Sequence, residues 1–343
     1  MKSLSKGEPA PTLEEVARMA GVSRATASRV FTGKARVSDA TRRAVERAAR
    51  QLRYVPNQAA RSLVTGRTDT VALVIPEPVP WLFGDPFYPV LIRGINETLS
   101  AHEVQLVLLA PQSPAEQERV ERYLGRRPVD GALLTALHEH DPLPVRLRDR
   151  GLPVVLGGRI DDDPRLSYVD IDNLGGARRA TEHLIQVGRR RIATITGPLN
   201  RVSALDRRAG YRQAQADAGL PPLEEEGDYT PEAGEQAMRR LLERQPDLDA
   251  VFCASDPTAV GALRALAAAG RRVPQDVAVV GFDDAALAAT TEPPLTTVHQ
   301  PIHEMGREMA RLLLEIIAEP TRVGRRVTLA TQLVIRGSSG GGR

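Results

Sequence analysis

The chain has 343 residues, which is too long for one small domain, and its 42% hydrophobic and 26% charged residues are typical of globular proteins. Its net charge of +3 is unevenly spread, because residues 1–67 contain 14 lysines and arginines against 5 aspartates and glutamates; a basic segment on an acidic body is typical of nucleic-acid-binding proteins, and a solvated basic face is the alternative. The single cysteine, Cys253, excludes an internal disulfide, and the lack of an apolar leader or of about 18 consecutive apolar residues leads us to expect a cytoplasmic protein.

The first predicted helix covers residues 12–20, with the sequence TLEEVARMA. Thr12 and Glu15 have the spacing of a capping box, in which each side chain accepts a hydrogen bond from the other residue's backbone N–H. Apolar residues recur at helical spacing along this segment. Gly21 then ends the helix, because glycine adopts a left-handed exit at little cost.

Two further helices are predicted to follow. The second is capped by Ser23 and runs to about Phe31; its apolar stripe is thin and its other face is polar. The third is capped by Ser38 and runs to about Leu52 with an apolar inner face. A helix, a glycine turn, a short polar helix and a third packing helix form the plan of a helix-turn-helix domain, whose second helix enters the DNA major groove.

A hinge is predicted after this head. Pro56 ends the third helix, because the residue before a proline avoids the helical conformation. Asn57 can cap one further helix over residues 58–64, and a linker is expected to begin at Gly66. So short a helix is marginal alone in water, and we expect it to order only on a partner.

From Thr70 onward, apolar strands alternate with helices, which predicts parallel sheets covered on both faces. The strands fall into two sets and predict two doubly wound subdomains, with a ligand site in the cleft between them, where strands end. The first set is 71–76, 104–110, 131–137 and 153–158, and the second is 167–172, 190–197, 249–255 and 277–284. The predicted helices are 88–102, 115–126, 174–187, 207–219, 232–244 and 257–269.

Several motifs point to one family. The segment from TLEEVARMAGVSRATASRVF through YVPNQAARSL is similar to the DNA-binding signature of the lactose-repressor (LacI/GalR) family of bacterial transcription regulators, and RRAGYRQA, SDPTAVGALRAL, VPQDVAVVGFDD and PPLTTVHQP resemble landmarks of its core. The resemblance covers nearly the whole chain. It implies a core like that of periplasmic sugar-binding proteins and a homodimer that binds a palindromic operator with a central CG step. It also implies a small effector, a sugar or oligosaccharide, in the cleft.

The expected fold class is therefore α/β, with an all-α helix-turn-helix headpiece followed by a periplasmic-binding-protein-like core of two doubly wound parallel-sheet subdomains. The expected domains are a disordered extension (1–11), the headpiece (12–56), the hinge helix and linker (57–69), the effector-binding core (70–336) and a disordered tail (337–343). Within the core, the N-subdomain is expected at about 70–166 and 298–328, and the C-subdomain at about 167–297 and 329–336.

The resemblance assigns roles to residues of the second helix. Arg24 and Ala25 match the family's main specificity pair, and Arg29 matches its third base reader. Arginine can bridge guanine O6 and N7, whereas alanine offers only a methyl contact; for either arginine the alternative is a phosphate contact. Thr26 and Ser28 are expected to contact the DNA backbone and fix the register.

The hinge carries three further candidates. Leu63 matches the family's leucine wedge, which unstacks base pairs in the minor groove, and Ala60 matches a small minor-groove contact. The alternative for Leu63 is an apolar contact between hinge and core. Asn57 is expected to cap the hinge helix and to contact the DNA backbone.

In the core, Arg207 matches the family's effector-binding arginine and Asp283 its acceptor of sugar hydroxyls. A guanidinium can grip paired hydroxyls or a carboxylate; the alternative is a salt bridge between subdomains. Trp81 could stack on a sugar face or lie in a surface loop. Ser255 stands where most relatives carry asparagine, so its contact is shorter. The remaining candidates for effector contact are Asp85, Phe87, Asp256 and Gln300.

These residues predict a repressor of sugar-utilisation genes whose DNA affinity is switched by the effector. No cofactor, metal site or catalytic constellation is expected. The alternatives are a regulator that responds to a non-sugar ligand or a protein corepressor and an enzyme with a fused DNA-binding head, which a turnover assay would separate. A transport binding protein conflicts with the basic head.

Overall fold

The computed structural model describes residues 11–32, 37–55, 66–136, 138, 140–160 and 163–340. The chain divides into two compact units, Met1–Asp69 and Thr70–Arg343. Across the described segments, no helix has the length and apolar character needed to cross a membrane.

The first unit contains three described helices, α1 (Leu13–Met19), α2 (Arg24–Thr32) and α3 (Asp39–Leu52). The predicted capping box of α1 is confirmed: the Thr12 N–H donates to Glu15 Oε2 at 2.8 Å, and the Glu15 N–H donates to Thr12 Oγ1 at 3.3 Å. Ser38 caps α3 as predicted, accepting from the Thr41 N–H. Local capping thus places the helix starts where the sequence predicts them.

A small core joins these helices. Its buried members are Val16, Ala17, Ala27, Val30, Val45, Ala48 and Ala49. Only Ala27 and Val30 of this set belong to α2, and Phe31 of the same helix packs against the cluster while partly buried. A helix that contributes so thin an apolar stripe presents most of its side chains outward.

The second unit is built from alternating strands and helices. In chain order its elements are β1 (Thr70–Val74), α4 (Val79–Gly84), α5 (Phe87–Ala101), β2 (Gln105–Leu109), α6 (Pro114–Gly125), β3 (Gly131–Thr135), α7 (Leu143–Asp149), β4 (Val154–Gly157), β5 (Ser167–Ile171), α8 (Asn173–Gln186), β6 (Ile192–Thr196), α9 (Val202–Asp217), β7 (Leu223–Glu226), α10 (Pro231–Arg244), β8 (Ala250–Cys253), α11 (Asp256–Ala268), β9 (Ala278–Asp283), a 3₁₀ helix (Ala286–Ala289), β10 (Thr296–His299), α12 (Ile302–Ala318), β11 (Arg326–Leu329), β12 (Gln332–Val334) and a second 3₁₀ helix (Gly337–Ser339).

Two six-stranded sheets organise this unit. The first has the order β11-β5-β4-β3-β1-β2 and is parallel throughout; the second has the order β12-β10-β9-β8-β6-β7 and is parallel except for the pairing of β12 with β10. Helices cover both faces of each sheet, and their apolar faces form the buried clusters of the core. The predicted pair of doubly wound subdomains is confirmed. We call the units built on the first and second sheets the N-subdomain and the C-subdomain.

The expected boundaries between the subdomains are wrong at two places. The strand β5, expected to open the C-subdomain, pairs with β4 in the first sheet, with Tyr168 opposite Leu156. The strand β10, expected partly in the N-subdomain, pairs with β9 in the second sheet. The chain therefore crosses between the sheets near residues 172, 300 and 330. An apolar strand pattern does not reveal which sheet the strand joins, because that choice depends on partners distant in the chain.

The expectation of a disordered tail over 337–343 is wrong for residues 337–340. Ser338 and Ser339 are buried. The Ser338 hydroxyl donates to the Val279 carbonyl at 2.6 Å and accepts from the Thr296 N–H at 2.8 Å. The Ser339 hydroxyl hydrogen-bonds to His183 Nε2. A segment rich in glycine and serine is ordered here because the two serine hydroxyls are hydrogen-bond partners for buried polar groups of the C-subdomain. Composition alone does not reveal these partners.

Candidate functional site

A cavity lies between the two sheets, at the carboxyl ends of their strands, and encloses about 870 Å³ of empty space, including the part open to solvent. This is the position at which open parallel sheets bind ligands. The N-subdomain lines it with Asp85, Phe87, Tyr88, Thr135, Ala136, Gly157, Gly158, Arg159, Ile160, Asp170, Ile171 and Met305. The C-subdomain lines it with Asn173, Arg201, Val202, Ser203, Arg207, Tyr229, Ser255, Asp283 and Gln300.

Arg207, on the second turn of α9, is held in place from several sides. Its Nε donates to Asn173 Oδ1 at 2.9 Å, and its Nη1 donates to the Ala254 carbonyl and lies 3.6 Å from Asp283 Oδ1. The guanidinium carbon lies 3.8 Å from the centre of the Phe282 ring. A buried guanidinium with this many partners is fixed before any ligand arrives, and the cation–ring contact adds to its stability.

Gly210 explains how α9 comes close enough for the contact with Asn173. A Cβ at Gly210 would lie 2.2 Å from the Leu174 carbonyl oxygen of α8, which no side chain tolerates. The glycine therefore permits the backbones of α8 and α9 to pack directly against each other. The motif RRAGYRQA thus contains both Arg207 and the residue that places its helix.

Asp283 ends β9 with a backbone φ of 122°, in a region that only glycine adopts freely. Strain of this kind persists where the surrounding structure imposes it, and it is common at functional sites. Gln300 Nε2 donates to Asp283 Oδ1. Burial raises the pKa of Asp283 well above its usual value, and the charge of Arg207 opposes that rise. The result is a buried carboxyl group held at the cavity wall with defined partners.

Ser255 and Asp256, adjacent in the sequence, have different surroundings. Ser255 lines the cavity and caps α11, accepting from the Thr258 N–H at 3.2 Å. Asp256 does not line the cavity: it is fully buried and accepts from the Thr297 hydroxyl at 2.6 Å and the Ala285 N–H at 2.8 Å. Burial raises the pKa of Asp256 to about 7. Asp256 holds the loop after β9, and its position away from the cavity wall does not support the expected contact with an effector.

The N-subdomain places two of its three expected residues at the cavity. Asp85 Oδ1 accepts the Phe87 N–H at 2.8 Å, and burial raises the pKa of Asp85. Phe87 packs edge-to-face on Tyr88, with ring centres 5.3 Å apart. Trp81 lies one turn earlier in α4, is half-buried and does not line the cavity, so stacking on a ligand there is not supported.

Two arginines that sequence reasoning missed tie the subdomains together across the cleft. Arg201, at the N-terminus of α9, forms an ion pair with Glu77, whose carboxylate also accepts from the Tyr88 hydroxyl at 3.4 Å. Arg159, after β4, lies 2.7 Å from Asp206 of α9. The partners are 124 and 47 residues apart, so no local pattern reveals them.

Arg159 and Arg201 differ in how fully they are satisfied. Arg159 lies 3.2 Å from Asp170 as well as binding Asp206, and burial raises the pKa of Asp170. The Nε of Arg201 is buried and has no hydrogen-bond partner within the described structure. A buried donor without a partner is unusual in folded proteins and marks a position where a ligand oxygen can bind favourably.

The second described helix of the first unit exposes the predicted base-reading residues. Arg24, Ala25 and Arg29 are all exposed, whereas Thr26 and Ser28 are half-buried. Arg24 lies 2.7 Å from Glu14, but this pair is exposed on both sides and costs little to break. Thr26 takes part in the start of α2, since its N–H donates to the Ser23 hydroxyl at 3.1 Å.

The predicted hinge contacts Asn57, Ala60 and Leu63 lie outside the described residues. Among the described residues, no group of three or more His, Cys, Asp or Glu side chains is placed to hold a metal ion.

Two family models match the chain. Residues 12–57 match the model described as bacterial regulatory proteins, lacI family, and residues 181–339 match a periplasmic binding protein-like domain. The chain is 52% identical over 333 residues to the HTH-type transcriptional regulator CelR of Thermobifida fusca, covering 96% of this chain and 98% of that protein. It is 37% identical over 335 residues to the ribose operon repressor of Escherichia coli K12, covering 96% and 99%.

Solved structures extend this relation over both units. A complex of the transcriptional regulator CelR with cellobiose is 50% identical and superposes with a TM-score of 0.77, covering 96% of this chain and 99% of that one. The lac repressor dimer bound to operator and the anti-inducer ONPF is 26% identical, with a TM-score of 0.85 over the same shares. The chain belongs to the lacI family of bacterial regulatory proteins and is a DNA-binding transcriptional regulator.

Proposed function

We propose that the protein is a homodimeric repressor that binds a palindromic operator and whose operator affinity is switched by cellobiose or a related β-linked disaccharide in the cleft. The observation that carries the proposal is the cavity, where Arg207, Asp283 and Gln300 form a fixed polar wall. The complex of a 50% identical regulator with cellobiose supports the choice of ligand.

The cavity has the chemistry that a saccharide requires. The guanidinium of Arg207 donates to hydroxyl oxygens, and the carboxyl of Asp283 accepts from hydroxyl groups. Phe87 and Tyr229 supply apolar surface for the C–H faces of sugar rings.

The effector acts on DNA binding through the relative position of the two subdomains. Both subdomains line the cavity, so a ligand that contacts both favours one arrangement over others. The change in operator affinity equals the difference in effector affinity between the arrangements, and the coupling is reciprocal. Operator DNA must therefore change cellobiose affinity by the same factor.

In the head, Arg24 and Arg29 read bases from the major groove, with guanine as the favoured partner, and Ala25 contacts a methyl group. Thr26, Ser28 and Asn57 contact the DNA backbone and fix the register. Ala60 and Leu63 contact the minor groove at the operator centre, where Leu63 unstacks a base step. Support comes from the exposure of Arg24, Ala25 and Arg29 on α2.

The test measures operator binding by fluorescence anisotropy, using a labelled palindrome with a central CG step and a scrambled duplex of equal composition. We expect a clear preference for the palindrome and a change in its affinity on addition of cellobiose; glucose and ribose serve as comparison ligands. Equal binding to both duplexes, with and without the saccharides, would refute the proposed regulator.

Ligand binding is tested separately by thermal unfolding. A ligand at 100 times its dissociation constant stabilises the folded state by about 2.7 kcal/mol. We expect cellobiose to raise the melting temperature of the wild type and of Arg212→Ala but not of Arg207→Ala. Arg212 is the matched control, because it lies on the same helix, is half-exposed and pairs with Glu224 away from the cavity. Loss of the shift in both variants would contradict the assigned role of Arg207.

A further inference from the structure

The charges around the cleft do not balance. The permanent cations of the second unit are all arginines, because the chain has lysine only at positions 2, 6 and 34. Three arginines line the cavity, namely Arg159, Arg201 and Arg207. A ligand that carries a negative charge would have to find its counter-ion among these three.

Each of the three guanidinium groups already has a carboxylate partner. Arg159 lies within 3.2 Å of two carboxylates, those of Asp170 and Asp206. Arg201 pairs with Glu77, which is 3% exposed. An anion that recruited Arg201 would leave Glu77 buried without its cation, and an uncompensated buried charge costs several kcal/mol.

The third arginine gives the same result. Arg207 lies 3.6 Å from the carboxyl of Asp283, and two of its five N–H groups donate to Asn173 and to the Ala254 carbonyl, which leaves donors for uncharged hydroxyl oxygens. The free donor of Arg201, its Nε–H, belongs to a guanidinium whose charge Glu77 offsets. That donor suits a hydroxyl or ring oxygen, which binds it without adding charge.

Asp85 leaves the cavity with an excess of negative charge. Its Oδ1 accepts the Phe87 N–H, but no lysine, arginine or histidine of the described structure lies within ion-pair distance of it. Four carboxyl groups, those of Glu77, Asp170, Asp206 and Asp283, are thus paired with the three guanidinium groups, and Asp85 is a fifth that lines the cavity without such a pair in the described structure.

We infer that the cleft selects uncharged saccharides and rejects the corresponding sugar acids, and that Asp85 sets this discrimination. The inference rests on the proposed sugar-binding function and deepens it, since it separates neutral disaccharides from those that carry a carboxylate. Like charges repel more strongly in a partly buried site than in water, because the lower effective dielectric constant screens them less.

The experiment is isothermal titration calorimetry on the full-length protein near neutral pH and at low salt, with three probes. Cellobiose tests saccharide binding. Cellobiitol and cellobionate both have an open-chain unit in place of the sugar ring at the reducing end. Cellobiitol is neutral and cellobionate carries a carboxylate, so the comparison between them isolates the effect of charge. We expect cellobionate to bind at least about tenfold more weakly than cellobiitol, with the ratio falling as salt screens the repulsion.

Two variants assign the effect to Asp85. Asp85→Asn keeps an oxygen that can accept the Phe87 N–H and removes the charge, so the ratio of the cellobionate to the cellobiitol dissociation constant should fall at least about threefold. Glu118→Gln removes the same charge from an exposed position on α6 outside the cavity and should leave the ratio unchanged.

The outcomes distinguish failure of the proposed effector class from failure of the charge discrimination. If cellobiose and cellobiitol both fail to bind, the proposed effector class is wrong and this inference falls with it. If the neutral probes bind and cellobionate binds as tightly as cellobiitol, the charge discrimination alone is overturned. If discrimination is present and Asp85→Asn leaves the ratio unchanged, the assignment to Asp85 is overturned.

Discussion

The ion pair between Glu77 and Arg201 predicts a large energetic coupling across the cleft, which a double-mutant cycle measures directly. The Glu77 side chain is 4% exposed and the Arg201 side chain 14% exposed, so neither charge is well solvated. The cycle compares Glu77→Gln, Arg201→Gln and the double variant with the wild type. Gln keeps polar atoms near the original positions while removing charge.

The expected magnitude follows from the burial of the pair. Removing one partner of a buried ion pair typically costs about 3–5 kcal/mol, because the remaining charge is left without compensation. Removing both should cost less than the sum of the single changes, since neither charge is then stranded, and we expect a coupling of about 2 kcal/mol. The exposed pair of Arg239 and Glu235, with side chains 58% and 26% exposed, is the internal control; its coupling should be about 0.3–0.5 kcal/mol.

The assay is urea unfolding followed by circular dichroism, with both cycles measured on the full-length protein under the same conditions. A coupling for Glu77 and Arg201 no larger than that of the control pair would refute the claim that this pair is poorly solvated. It would mean that water reaches both charges freely and that the pair does not hold the two subdomains together. Thermal unfolding at two salt concentrations gives a second reading, because a buried pair responds less to salt than an exposed one.

Three further predictions concern the head, the helix that carries Arg207, and the tail. Arg29→Ala should weaken operator binding by about 1–3 kcal/mol and reduce discrimination between the palindrome and a scrambled duplex, as measured by competition binding; unchanged discrimination would exclude base reading by this residue. Gly210→Ala should lower the free energy of unfolding by about 1–3 kcal/mol and weaken cellobiose binding in calorimetry, because a Cβ there would lie 2.2 Å from a backbone oxygen of α8; wild-type stability and affinity together would show that the two helices are free to separate. Burial lowers the pKa of His183, so the folded state binds fewer protons than the unfolded state. Stability is therefore greatest above the unfolded pKa of about 6.5 and falls as the pH drops through the lower folded pKa; melting temperatures between pH 7.5 and 5.5 should show this loss, and His183→Gln should reduce it, whereas an equal loss in the variant would assign the effect to other groups.

Much of the fold could be predicted because its signals are local. The capping pair Thr12 and Glu15 is adjacent on one helix turn, and its hydrogen bonds form as predicted. Apolar strands such as β1 and β9 are buried along almost their whole length, as continuous apolar runs predict. Helix α9 begins at Val202 and not near residue 207, and the sequence lacks the usual start signal there, because Arg201 at the N-cap makes no side-chain capping hydrogen bond.

The candidate site could be predicted only in part. Family resemblance pointed to Arg207, Asp283 and Gln300, and the structure brings all three to one cavity; their contacts with a ligand remain predictions. The same resemblance pointed to Asp256, whose carboxylate instead binds Thr297 and Ala285. A motif places an aspartate at the end of a strand, but the direction of its side chain depends on the neighbouring strand.

The sequence by itself determined the helix caps, the alternation of strands and helices, and the division into a basic head and an acidic body, because each depends on residues a few positions apart or on composition. Only the tertiary structure decided that β5 joins the first sheet, that Ser338 and Ser339 are buried, and that Glu77 and Arg201 meet across the cleft. These features depend on which distant segments become neighbours, and burial then gives a pair of charges or a hydroxyl an energetic importance that its residue type alone does not carry.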